Sequence, residues 1–166
     1  MKPVKTKKLT VMALTTALAM ILSFVESQIP AFVAVPGVKM GLANIAVVFA
    51  LYKLGWKEAV AISLVRVVLV SMLFGSVASL FYSLAGAVLS LAGMGLLKKS
   101  GRFTEIVVSV AGGILHNIGQ IAMASIILET DALRYYLPFL LLSGIIAGVV
   151  IGVVSAIMVR RIQIRI

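Results

Sequence analysis

The sequence predicts an all-α integral membrane protein with six transmembrane helices, on three observations. Of its 166 residues, 62% are hydrophobic and 12% charged, with a mean hydropathy of +1.19. That leaves too little polar surface to cover a soluble core of this size. Six apolar segments approach the roughly 20 residues that a bilayer crossing requires. The cations gather at alternate ends of those segments: twelve of the fifteen Lys and Arg fall on a single face.

The first segment, Leu9 to Gln28, follows a basic stretch with Lys2, Lys5, Lys7 and Lys8. This start resembles a signal peptide, but the apolar run continues to Val25 and five more segments follow, so it reads as a retained span. The second, Gly41 to Tyr52, is brief. It is preceded by "PAFVAVPGVKMGLANIA", with Pro30, Pro36, Gly37, Gly41 and the lone cation Lys39. Such a stretch at or near membrane depth suits an ordinary outer turn or a loop folded over a ligand cavity, where glycine permits close backbone approach. Lys53 and Lys57 lead into the third segment, Glu58 to Phe74, which holds Arg66 about 12 Å from either end.

The fourth, Ser76 to Leu97, repeats Ser76, Ser79, Ser83, Gly86, Ser90 and Gly93 at spacings of three and four, a small-residue seam for close helix packing. Lys98, Lys99 and Arg102 separate it from the fifth, Glu105 to Leu128, which holds His116, Asn117 and Gln120. The sixth, Leu137 to Val159, has Gly144, Gly148, Gly152 and Ala156 at four-residue intervals, for packing within the bundle or in a homodimer. Arg160, Arg161 and Arg165 close the chain.

The asymmetry of the cations puts both termini in the cytoplasm of a multi-pass protein of the cell membrane. It also accounts for the net charge of +10 without a nucleic-acid partner, since no basic segment carries interleaved aromatics. With no cysteine, one histidine and one aspartate, disulfides and thiolate chemistry are excluded and a multi-ligand metal site is not expected. The length suits one membrane domain over residues 1–166.

An arginine deep in a span costs about 2.5–3.5 kcal/mol on insertion scales and normally faces a partner or a cavity. Glu26, near the outer end of the first span, and Asn44, near the outer end of the second, are candidates to satisfy Arg66. A purely structural polar network is one reading of this set. The other is an outward-opening pocket. Only Glu26 is placed to balance Lys39, Arg66 and a protonated His116, and the surplus positive charge with amide donors suits a ligand bearing phosphate, carboxylate or ring carbonyls.

"PGVKMGLANI" (36–45) and "GGILHNIGQ" (112–120), in a basic six-span chain of this length, resemble the Gx-transporter family, also labelled heptaprenyl diphosphate synthase component I. That family is similar to the substrate-binding S components of energy-coupling factor (ECF) transporters, and members beside Rnf genes are regarded as flavin transporters. The resemblance covers essentially the whole chain. It implies an S-component-like six-helix bundle with its ligand on the outer side, under the loop between helices 1 and 2. Lys39, Asn44, His116, Asn117 and Gln120 match the family motifs; Glu26 and Arg66 are added from depth and charge. Ala13 and Ala17 match the alanine motif by which S components dock on a coupling subunit. The chain has no Walker A motif, so ATP use would need partner subunits.

The expected function is that of a membrane transporter, or its substrate-binding subunit, for a small vitamin-type molecule. A flavin (riboflavin, FMN or FAD) would be the transported ligand rather than a cofactor, and the flavin rests on the resemblance. An enzyme is not expected: prenyl diphosphate chemistry relies on aspartate-rich magnesium sites, whereas Asp131 has only Glu129 beside it. Two alternatives stay open: an intramembrane enzyme acting on a lipid phosphate through His116, Arg66 and Glu26, and a ligand-free structural subunit.

Overall fold

A computed structural model describes residues 3–28, 41–130 and 132–164. Six α-helices and one short 3-10 helix, with no strand, make up the described residues: α1 (Pro3–Gln28), α2 (Asn44–Lys53), α3 (Trp56–Phe74), α4 (Val77–Ser100), α5 (Glu105–Ile127), η1 (Ala132–Tyr136) and α6 (Leu137–Arg161). Lys39 and the rest of the proline-containing loop, 29–40, lie outside the described residues, as does Asp131.

The helices pack in the order α1, α3, α4, α5, α6, and α2 lies against α6, α3 and α1. Their outer faces are aliphatic: Leu14 and Ile21 on α1, Met72 on α3, Val88 on α4, and Ile146 and Val150 on α6 are all exposed. Serines instead are buried, among them Ser63, Ser71, Ser90, Ser109 and Ser155. Small polar residues inside and large apolar ones outside is the distribution expected when the solvent is lipid.

Four helices are long and apolar enough to cross a membrane: α1, α4, α5 and α6. The expected count of six is therefore not met by length and composition. α3 has 19 residues but carries Lys57, Glu58 and Arg66. α2 has ten, about 15 Å at 1.5 Å per residue, or half a bilayer. It cannot extend back through Gly41, whose φ of +74° is a left-handed conformation incompatible with helix.

α2 also begins deep. A Cβ on Gly41 would lie 3.5 Å from Ile151 Cδ1, and Ser155 donates to the Ile45 carbonyl at 3.4 Å. Both α6 residues lie in the half of that helix nearer Arg161. Asn44, expected near the outer end of the second span, thus stands level with the middle of α6. From there α2 is nearly encased, with Ile45 to Leu51 all buried. Val47, Val48 and Leu51 join Ile62, Leu91 and Val108 in the main apolar core. Lys98 of α4 donates to the Leu51 carbonyl, satisfying an end of α2 that would otherwise leave its carbonyls unpaired, and lies over the Tyr52 ring at 5.1 Å.

α4, α5 and α6 meet with almost no side chain between them. A Cβ on Gly119 would come within 2.7 Å of the Ala85 carbonyl, and one on Gly113 within 2.6 Å of the Gly144 carbonyl. Cβ atoms on Gly148 and Gly152 would meet the Cα atoms of Val110 and Ile106 at 2.6 and 2.7 Å. The α6 glycines are thus occupied against α5. They are not a surface on which a second copy could pack, which corrects the homodimer reading of that seam.

Candidate ligand cleft

Between the Gln28 end of α1, the second half of α3, the start of α4 and the middle of α5 lies a polar cleft. Four expected site residues line it together: Glu26, Arg66, His116 and Gln120. Each sits there for a local reason. Ser23, Glu26 and Ser27 share one side of α1 at spacings of three and four, and α1 is half-buried at Glu26. Arg66 is two turns before the end of α3, where Gly75 and the Ser76 cap break the chain. There the Ser76 and Ser79 side chains and backbone amides bond reciprocally, starting α4 with its serine row toward the cleft.

Arg66 is the centre of the arrangement. Its Nη1 donates to Ser23 Oγ at 3.5 Å, a long contact, and its Nε is buried with no hydrogen-bond partner among the described residues. Glu26 is the acid that acts on it electrostatically. The same carboxylate accepts the Gly41 backbone N–H, next to the first turn of α2, where the helix dipole favours negative charge. Glu26 therefore serves the Arg66 guanidinium and the Gly41 amide at once. The cleft keeps a surplus of donors.

A second cavity lies deeper, between α2, α4, α5 and α6. It is lined by Asn44, Ser90, Ser109, His116 and Asn117 and by the glycines of α5 and α6. The seven proposed site residues thus divide. Asn44 and Asn117 belong to the deeper cavity, His116 lines both, and Lys39 is outside the described residues. Asn117 has a structural task as well: its Nδ2 donates to the Leu140 carbonyl at 2.5 Å, tying α5 to α6. As they stand the two spaces hold about 60 and 30 Å³, room for water, whereas drug-sized ligands occupy sites of about 300 Å³ or more.

Ser71, Ser79 and Ser83 line the cleft, a role missed in the sequence, where the α4 row reads as packing alone. The seam in fact divides: Gly86, Ser90 and Gly93 lie against α5, while the serines nearer the helix start face the cavity. Their position in the same half of the bundle as Arg66 and Glu26 was the available signal. Phe74 also lines the cleft; its ring lies 5.1 Å from that of Phe24, joining α1 to α3 at this end. Ala13 and Ala17 are exposed on α1, away from the cleft.

Apolar helices enclosing a cationic cleft define a helical membrane protein with an internal polar site. Residues 15–158 match the family model described as heptaprenyl diphosphate synthase component I, and the chain belongs to that family. Comparison with curated proteins finds no match, and neither does comparison with solved structures.

Proposed function

We infer that this chain is a membrane transport subunit that binds a small anionic or carbonyl-rich molecule of the flavin type, and that it is not an enzyme. The observation that carries the reading is Arg66, a half-buried side chain whose Nε is buried and has no acceptor among the described residues. An unpaired buried donor costs about 1–3 kcal/mol, more when charged, and a ligand anion would recover that energy. Gln120 beside it could read ring carbonyls. Membership of a family named as one component of a larger activity supports a partnered subunit. An ECF-type coupling subunit is the partner we favour, docked on the exposed Ala13 and Ala17. In this reading all six helices cross or enter the bilayer, with both termini cytoplasmic in the cell membrane.

Admission of a flavin requires the cleft to widen. α1 is the helix placed to move, because it packs only on α2 and α3 among elements in substantial contact and most of its surface is exposed. A lipid-phosphate enzyme would use the same Arg66 with His116 and Glu26 as its acid and base, but Glu26 is occupied by Gly41.

Purified protein titrated with riboflavin, FMN and FAD tests the proposal. Arg66→Gln should weaken FMN and FAD about ten- to a hundred-fold more than riboflavin, which lacks phosphate, the loss expected for a charge-assisted bond of about 1.5–3 kcal/mol. Equal weakening of all three would make Arg66 an organiser of the site. Absence of binding by the unmutated protein would end the flavin assignment.

A further inference from the structure

His116 is the central residue of α5, eleven positions from Glu105 and eleven from Ile127, so about 16 Å from either end. It is the chain's single histidine and lines both the cleft and the deeper cavity. Its ring rests on the bare backbone of α4: a Cβ on Gly86 would lie 2.9 Å from both Nδ1 and Cε1.

Among the described residues, two charged side chains share these spaces with it. α1 contributes Glu26 to the cleft and α3 contributes Arg66. α2 faces the deeper cavity with Asn44, α4 with Ser90, and α6 with Gly144, Ala147 and Gly148; among the described residues none of these three helices adds a titratable group to either space. Arg134 on η1, which also packs on α5, is exposed and lines neither cavity.

Imidazole is the side chain whose ordinary proton affinity falls in the physiological range. Here two fields oppose each other: Arg66 disfavours a second cation in the same space, and Glu26 favours one. An anion seated against Arg66 tips that balance toward protonation. We propose that His116 binds one proton when an anionic ligand occupies the cleft, making the chain the proton-coupled part of a symport step. This rests on the cleft being the ligand site.

The proton comes from water in the cleft and bonds to an imidazole nitrogen. It returns to water through the deeper cavity when the ligand leaves. Between that cavity and the α2–α3 end of the bundle lie Val47, Leu51, Ile62, Leu91 and Val108 of the apolar core, so in this proposal passage requires helix movement. Carrying anion and proton together also lowers the charge moved through the low-dielectric interior.

The uniqueness of His116 permits a direct test on the unmutated protein. Its imidazole nitrogens, ¹⁵N-labelled in detergent-solubilised protein, are followed by NMR from pH 5 to 8. The titration is run alone, with sulfate, and with FAD, anions that keep their charge across that range. The expected result is a single titration whose midpoint rises by about one unit at saturating anion, which by linkage is a tenfold gain in anion affinity at low pH. Riboflavin, uncharged, should leave it in place. Arg66→Gln should abolish the rise. An imidazole that keeps one charge state throughout, a midpoint unmoved by both anions, or a rise that survives in Arg66→Gln each overturns the proposal. A rise with sulfate in a protein that binds no flavin discards the flavin and keeps the coupling; flavin binding with a fixed midpoint does the reverse.

Discussion

Replacing Gly86 by alanine would put a Cβ 2.8 Å from the His116 carbonyl oxygen and 2.9 Å from its ring. The carbonyl belongs to a helix and cannot step aside, so α4 and α5 must separate. Overpacking of this kind costs about 1–3 kcal/mol, and Gly86→Ala should lower the midpoint of thermal unfolding and weaken ligand binding together. That His116 and Arg66 would lie inside the bundle was legible in the sequence, because a polar side chain deep in an apolar run normally faces a partner or a cavity. Asn117 was legible only in part. Its depth marked it, but a bond to the Leu140 carbonyl depends on a neighbour 23 positions away, and no spacing within α5 announces it.

At the scale of elements, α1 and α6 present opposite uses of small residues. The α6 glycines are closed against α5, so Gly148→Leu should disrupt the bundle itself, seen as loss of monodisperse protein in size-exclusion chromatography. Ala13 and Ala17 are exposed on α1, so tryptophan at both positions should leave folding and ligand binding intact and abolish co-purification with an ECF-type coupling subunit. Transport by the chain alone in liposomes would count against that partner. The sequence cannot distinguish these cases, since a four-residue repeat of small side chains reads the same whether it faces a neighbouring helix or the outside.

Helix ends were better specified. Ser76 caps α4 and Thr104 caps α5, matching the expected starts. α1 begins earlier than hydropathy indicates, at Pro3, because lysine is a good helix former even where it is a poor lipid neighbour. The shortness of α2 was visible in the prolines and glycines that precede it. Its depth was not, because depth is set by Glu26, Ile151 and Ser155 on other helices.

For the whole molecule, the distribution of charge makes the orientation testable. The chain has no cysteine, so single cysteines give a clean signal: Thr130→Cys should react with an impermeant thiol reagent in intact cells, and Ser100→Cys only after the membrane is opened. The reverse pattern would invert the orientation and turn the cleft to the cytoplasm. At the end of the bundle opposite the cleft Lys8 pairs with Glu58 at 2.5 Å. The partly exposed pair adds little stability, but it fixes which ends of α1 and α3 lie together.

The ten residues of α2 have a consequence for how the protein is made. A segment of that length is too short to be recognised as a crossing by the insertion machinery, which reads about 20 apolar residues at a time. Its buried face is suited to protein rather than lipid. α2 and α3 turn sharply at Gly55, where φ is +122°, between Lys53 and Lys57. The two helices form a hairpin with both lysines at its tip. α2 is therefore expected to settle late, once α6, whose Ile151 and Ser155 lie against its start, has been made.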